Sequence, residues 1–159
     1  MSRTGTTWDG LPISDEVPHG ATVVVFRRLT GGTEFLLLHR AHNGPAYEGD
    51  WAWTPPSGAR FPGEPIAVCA RRELREEAGL ELDVVPADCG TPSWQVYVAE
   101  APPKARVSLE YDREHDRYEW LPADAALTRC RPALACESLR AAINLIERRS
   151  REPRMEAQG

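Results

Sequence analysis

Three glutamates in one short segment, Glu73, Glu76 and Glu77, have the types and the spacing that allow chemistry. In a helix, positions i, i+3 and i+4 lie on one flank, so the three carboxylates project together. They also lie near the carboxyl end of that helix, where negative charge is already unfavourable. The arrangement has no structural benefit of its own. It predicts a site for a hard divalent cation, Mg²⁺ with Mn²⁺ as a substitute, because such ions prefer carboxylate oxygens.

The element that must position these glutamates is a helix, predicted from about residue 64 to residue 78 after a Pro-Gly turn. Gly79 is expected to end it in the left-handed conformation. Its buried stripe is predicted to be Ala67, Ala70, Leu74 and Ala78. Arg72 lies four residues before Glu76 and is expected to pair with it.

The segment 58–80 resembles the Nudix box. Gly58 is followed after five residues by Glu64, and seven more lead to Arg72-Glu73, an apolar residue, a spacer, Glu76-Glu77, a spacer, Gly79 and an apolar residue. Every fixed position of that box is filled. The chain therefore resembles the Nudix hydrolases, and the resemblance implies an α/β fold, an α/β/α sandwich with a mixed central β-sheet.

The same resemblance implies roles for single residues. Glu73, Glu76 and Glu77 are expected to bind the metal, together with the backbone carbonyl of Ser57. Arg72 is expected to orient the glutamates, and Glu73 is expected to take the proton of the attacking water, with Glu114 as the alternative base. Glu64 either anchors the loop before the helix or joins an outer metal.

A second informative stretch is Glu114-His115-x-x-Tyr118-x-Trp120. In many Nudix enzymes a glutamate in such a loop completes the metal shell, and Glu114 is the expected match here. The alternatives are Asp112, Asp116 and Glu119.

Together with Trp53-Thr54-Pro55-Pro56, the stretch most resembles the diadenosine tetraphosphate hydrolase branch. Tyr118 is expected to stack on a base or to be a core tyrosine, and His115 to contact phosphate or to cap a turn. That branch usually has lysine-Gly-His where this chain has Ser57-Gly58-Ala59, so the phosphate-binding charge must come from Arg40, Arg60 or Lys104. The predicted substrate-binding residues are thus Tyr118, His115, Arg40 and Gly58.

The composition sets wider limits. The chain has 159 residues and a formal net charge of −5, which disfavours a general binder of long nucleic acid. Its four cysteines have no Cys-x-x-Cys spacing, so neither a zinc site nor a disulfide framework is predicted. No signal peptide or membrane span is recognised, and a cytoplasmic location is expected. The predicted partner is a small nucleotide, bound by a monomer or a homodimer.

One domain is predicted at residues 18–148, between a flexible N-terminal arm at 1–17 and a flexible tail at 149–159. Strands are predicted at 21–26, 34–40, 81–85, 94–99, 106–109 and 118–121. A turn is predicted at 86–90, a short helix after residue 122, and a last helix from about 132 to 148.

These features predict a metal-dependent hydrolase that cleaves a phosphoanhydride bond of a nucleoside diphosphate linked to another group, foremost a dinucleoside polyphosphate. The alternatives within this chemistry are ADP-ribose, a nucleotide sugar, a damaged nucleoside triphosphate and an RNA 5′ end. A nucleotide sensor without catalysis and an interaction module remain as other classes. The intact box and the unbalanced carboxylates argue against both.

Overall fold

The structure is a computed structural model that describes residues 5–7, 10–111 and 113–151. Its strands are β1 (Gly20–Leu29), β2 (Gly32–Arg40), β3 (Trp53–Thr54), β4 (Ser57–Ala59), β5 (Val85–Thr91), β6 (Trp94–Ala101) and β7 (His115–Pro122). Its helices are α1 (Ile66–Ala78), α2 (Ala123–Arg129) and α3 (Ala133–Arg151).

All seven strands belong to one mixed sheet. The path β3-β2-β1-β6-β5 forms its main order, with β4 paired to β1 and β7 paired to β2. The β1–β6 pair is parallel and the others are antiparallel. The parallel pair requires a crossover, and the segment from β1 to β6 supplies it with α1.

The sheet separates two hydrophobic cores. Because side chains alternate along a strand, β1 sends Val23 and Val25 to one face and Val24 and Phe26 to the other. α1 packs on the first face and α3 on the second. The predicted α/β/α sandwich is confirmed.

The region after α1 differs from the prediction in two places. The strand expected at 81–85 begins only at Val85, and the segment expected to be a turn forms most of β5. β5 lies at the edge of the sheet, where Pro86 is tolerated because one side of the strand needs no partner.

The strand expected at 106–109 is not formed. Ser108 instead donates its N–H to the carbonyl of Ala78 at 2.9 Å, and Val107 and Leu109 pack against the α1-side core. Their alternation with polar residues therefore reflects packing of an irregular segment and not pairing in the sheet. β7 starts three residues earlier than expected, at His115.

Part of the segment before β1 is held against the domain. The N–H of Ser14 donates to the carbonyl of Arg60 at 2.8 Å, and the Arg60 guanidinium donates to the carbonyl of Glu16 at 2.9 Å. Residues 1–4, 8–9 and 152–159 of the predicted arm and tail lie outside the described residues. The flexibility of arm and tail stays a prediction.

No helix within the described ranges has the length and apolar character that crossing a membrane requires.

Candidate active site

The glutamate-bearing helix ends where predicted but begins at Ile66, slightly later than expected, and Ala67 of the predicted stripe is only half-buried. Gly79 ends α1 with φ 66°, and its N–H donates to the carbonyl of Arg75. Ala70, Leu74 and Ala78 are fully buried against the sheet, while Val68 and Arg71 lie on the exposed side. This packing turns the flank that carries the three glutamates toward β4.

Arg72 is the central cation of the site. Its guanidinium donates to both carboxylate oxygens of Glu64 (2.7 and 2.9 Å), to Glu73 (2.9 Å) and to Glu76 (3.2 Å). It also donates to the carbonyl of Ala59 at 2.9 Å and lies 3.9 Å from the centre of the Phe61 ring. One planar group thus joins the loop before α1 to two of the three glutamates.

Glu64 is part of this frame. Besides the two bonds from Arg72, it accepts the N–H of Phe61 at 3.1 Å. Burial raises the pKa of Glu64, but the hydrogen bonds from Arg72 and Phe61 outweigh it, so the net pKa lies below the ordinary value. These contacts match the loop-anchoring role among the two that the sequence left open.

Glu73 lies directly against the backbone of Gly58. A Cβ atom added at Gly58 would come within 2.1 Å of the Glu73 carboxyl carbon, so only glycine leaves room for this carboxylate. Burial raises the pKa of Glu73 to about 8, helped by Glu76 and Glu114 and opposed by Arg72. Ionised Glu73 is therefore unfavourable here unless a further positive charge is close.

Close to these residues is a group of three possible ligands: Glu77 and His115, which are buried, and Glu114, which is half-buried. One ligand atom from each lies within 4.8 Å of the others. Glu77, only 2% exposed, accepts the N–H of Ser57 at 2.7 Å, and its second oxygen lies 3.9 Å from His115 Nδ1. Burial, with the charge of Arg40 as the next cause, lowers the pKa of His115 to about 4, so its imidazole is neutral at neutral pH.

The residues present fit a divalent cation on two observations. His115 Nδ1 is buried without a hydrogen-bond partner among the described residues, which is costly for a polar atom. Burial raises the pKa of Glu73, and the carboxylates of Glu76 and Glu114 raise it further. A cation close to Glu73 would offset this cost of ionisation, and carboxylate oxygens are the donors that Mg²⁺ and Mn²⁺ prefer, whereas imidazole suits transition metals better.

A cleft of about 960 Å³ opens beside the carboxylates. Of the predicted site residues, those that line it are Arg40, Ser57, Gly58, Arg72, Glu73, Glu76 and Glu114. Glu77 and His115 are buried and do not line the cleft. Tyr118 is 39% exposed on β7, opposite Leu38, and is not among the residues that line the cleft.

Glu114 lines the cleft, whereas two of the alternative candidates for its metal-binding role contact other side chains. Asp116 contacts His39 Nδ1 at 2.7 Å, and Glu119 accepts a hydrogen bond from Arg129 at 3.0 Å. Asp112 lies outside the described residues.

Arg40 likewise differs from the other two candidate cations for phosphate. It lines the cleft, and its Nε is buried without a hydrogen-bond partner in the described ranges. Arg60 is engaged with the segment before β1, and neither it nor Lys104 is among the lining residues.

Sequence reasoning missed several residues of the cleft wall. Trp51, Trp94, Thr7 and Leu11 line it, although none was a predicted site residue. The aromatic pair Trp51-Ala52-Trp53, directly before Thr54-Pro55-Pro56, was a usable signal. No local pattern in the first 17 residues indicates a contact with the cleft.

Fold and site together define a class. Buried carboxylates, a neutral histidine and a bridging arginine at the edge of a mixed α/β/α sandwich are suited to metal-assisted hydrolysis of a phosphorylated substrate.

Comparison with known proteins identifies the family. The model of the NUDIX domain matches residues 18–139, and the chain belongs to the Nudix family. The prediction of a Nudix hydrolase is confirmed.

Within this family, the chain is similar to several enzymes whose names specify a substrate. The chain is 33% identical over 121 residues to mouse bis(5′-nucleosyl)-tetraphosphatase [asymmetrical], covering 65% of this chain and 78% of the relative. It is 30% identical over 123 residues to the Caenorhabditis elegans protein of that name, covering 70% and 83%. The crystal structure of a C. elegans Ap4A hydrolase binary complex superposes with a TM-score of 0.64 at 27% identity, over 82% of this chain and 98% of that one.

Proposed function

We propose that this protein hydrolyses a phosphoanhydride bond of a dinucleoside polyphosphate, such as diadenosine tetraphosphate, in a Mg²⁺-dependent reaction that Mn²⁺ also supports. One observation carries the proposal: the carboxylates on α1 and Glu114 meet at the wall of a cleft that also contains Arg40. The relatives named as asymmetrical tetraphosphatases support the choice of substrate.

The residues that would hold the cation are Glu73, Glu76, Glu77 and Glu114, with the carbonyl of Ser57. His115 is a further candidate ligand because its Nδ1 lies in the same group. When bound, a divalent cation supplies positive charge to the phosphate oxygens of the substrate.

The chain's own groups perform the remaining tasks. Arg72 fixes Glu73 and Glu76 through hydrogen bonds, so their oxygens keep one geometry while a substrate enters. Arg40 faces the cleft and is the cation positioned to pair with a phosphate. Gly58 leaves room for the Glu73 carboxylate beside β4.

Proton transfer is assigned to Glu73, with Glu114 as the alternative base. Both line the cleft, as a general base must. A positioned base contributes about 10²- to 10⁴-fold in rate. Comparing the Glu73→Gln and Glu114→Gln variants at saturating Mg²⁺ distinguishes them, because the variant that lacks the base shows the larger loss of kcat.

The test of the proposed function is a substrate panel with product identification. Diadenosine tetraphosphate, ADP-ribose, a nucleotide sugar, an oxidised nucleoside triphosphate and a 5′-triphosphate RNA are incubated with Mg²⁺, with Mn²⁺ or with a chelator. Preferred, metal-dependent release of ATP and AMP from diadenosine tetraphosphate is the expected result.

Higher kcat/KM on another compound of the panel would reject the dinucleoside substrate and keep the enzyme class. A nucleotide-induced rise in melting temperature without any turnover would indicate a sensor instead. The same purified protein tests the predicted monomer or homodimer by light scattering.

A further inference from the structure

The cleft extends well beyond the metal-binding carboxylates. These lie on α1, whereas the other end of the cleft is formed by the first half of α3, on the opposite face of the sheet: Glu137, Ser138, Leu139 and Ala141. The wall of the cleft is therefore built from both faces of the sheet. Trp51 lines the same cleft, and its backbone bonds to Arg131, just before the start of α3.

Trp51 has an unusual backbone conformation. Its φ is 66°, and within the described residues only Arg113 is another non-glycine residue with positive φ. Such a conformation is costly for a large side chain and persists only where the surroundings enforce it. Here the N–H of Trp51 donates to the carbonyl of Arg131 at 2.7 Å, and Ala52 donates to Gly49 at 3.2 Å.

The strained backbone does not bury the indole. Ala52 and Trp53, the next two residues, are 1% exposed, but Trp51 is 47% exposed. Within the part of the chain that the structure describes, its indole N–H has no hydrogen bond. The fold thus holds a large aromatic face at the cleft wall without gaining the packing that normally stabilises a tryptophan.

Tyr111 also lines the cleft and is 68% exposed, but its φ is not positive, whereas Trp51 is held in the left-handed region. Other aromatic residues near the cleft have structural contacts or lie outside its wall. Phe61 packs under the Arg72 guanidinium. The Trp94 indole donates to Thr22 Oγ1 at 2.8 Å, and its ring lies so close to Gly20 that a Cβ there would meet it at 2.5 Å. Tyr118 lies outside the lining residues.

We propose that Trp51 is the residue that stacks on a nucleobase of the substrate, at the α3 end of the cleft. The inference rests on the proposed function for the identity of that base. Stacking on an aromatic side chain needs only an exposed ring face and is tolerant of the base. Trp51 is thus a binding residue that acts on the substrate end remote from the carboxylates.

The test compares three variants in steady-state kinetics with diadenosine tetraphosphate and Mg²⁺. Trp51→Asn removes the ring, and asparagine tolerates positive φ, so its melting temperature should equal or exceed that of the wild type. Its KM should rise by about 5- to 150-fold with kcat nearly unchanged, because stacking stabilises bound substrate and transition state alike. Trp51→Phe should restore most of the affinity.

Val68→Ala is the matched control. Val68 is also 47% exposed, but it lies on the outer side of α1 and lines no part of this cleft. The KM of the Val68→Ala variant should therefore equal that of the wild type. Competitive inhibitors give a second readout. Inhibition by adenosine tetraphosphate should weaken in Trp51→Asn, whereas inhibition by inorganic tripolyphosphate, which has no base, should not.

An unchanged KM and unchanged adenosine tetraphosphate inhibition in Trp51→Asn would overturn the stacking role. A large loss of melting temperature in that variant would also overturn it, since it would show that the ring stabilises the fold. If the wild type cleaves a different nucleotide, the proposed function fails, and the stacking role is then tested on that nucleotide with the same variants.

Discussion

Glu77→Gln tests the metal site with little change of shape. The Glu77 carboxylate is buried and accepts the N–H of Ser57 at 2.7 Å. The amide oxygen of glutamine accepts the same bond, so the fold is expected to persist. What the substitution removes is one negative charge, 3.9 Å from His115 Nδ1 and within the group that includes Glu114.

The size of the effect follows from linkage. A cation at 100 times its Kd stabilises the folded state by about 2.7 kcal/mol. If the lost carboxylate weakens binding about 100-fold, the upper end for supporting residues of metal sites, the gain at the same concentration falls to about 0.4 kcal/mol. For a chain of this size 1 kcal/mol corresponds to about 2–4 °C, so the Mg²⁺-induced shift of Tm should shrink by about 5–9 °C.

The assay is thermal unfolding with and without MgCl₂, followed by turnover at the same Mg²⁺ concentrations. Glu81→Gln is the control, since it makes the same chemical change at an exposed position just after α1. The reasoning is refuted if Glu77→Gln keeps both the full Tm shift and wild-type turnover. A variant that fails to fold without metal would refute the claim that the amide preserves the Ser57 contact.

Three further changes test the frame around the glutamates. Arg72→Lys should lower the free energy of unfolding by about 2 kcal/mol in urea denaturation, because lysine cannot reproduce the charge-assisted bonds of the guanidinium. Glu64→Gln should be destabilising at neutral pH, since the lowered pKa of Glu64 means that its ionised form stabilises the fold. That contribution exists above the unfolded pKa of 4.5 and is lost as pH falls below it, so the difference from wild type should narrow toward pH 3. Gly58→Ala should reduce kcat/KM by at least 10-fold, because the new Cβ occupies the place of the neighbouring carboxylate.

Arg72→Lys and Gly58→Ala each have a control variant within the chain, and Glu64→Gln is checked by its pH dependence. Arg71→Lys changes an exposed arginine on the outer side of α1 and should leave unfolding unaffected. Gly31→Ala adds a Cβ that meets nothing within 4 Å and should leave kcat/KM unaffected. Equal effects in test and control, or a Glu64→Gln difference that grows on acidification, would contradict the described contacts.

The helix and its carboxylates were predictable because local periodicity determines them. The spacing of Glu73, Glu76 and Glu77 fixes one flank of α1, and Gly79 marks its end. The buried runs of β1 and β2 were equally clear. The edge strand β5 is harder to predict from sequence. Its Pro86 and Gly90 suggest a turn unless the partner strand β6 is known.

The long-range contacts of the site could not be read from the sequence. That Glu64 pairs with Arg72, and that His115 lies beside Glu77, depends on how separate elements pack. The expectation for Tyr118 rested on its neighbours along the chain, whereas its position is set by pairing with Leu38. The position of Trp51 could not be predicted from hydrophobic periodicity. Trp51 lies in a loop, and its orientation depends on its own left-handed backbone conformation.

The segment ahead of the first strand contributes Thr7 and Leu11 to the cleft and is tied to the domain through Ser14 and Arg60. Neither Thr7 nor Leu11 is a member of the two hydrophobic cores. Replacements at these two positions are therefore expected to alter the shape available to a ligand without disturbing the carboxylates or either hydrophobic core. Substrate preference can thus change through this segment while the carboxylates on α1 stay the same.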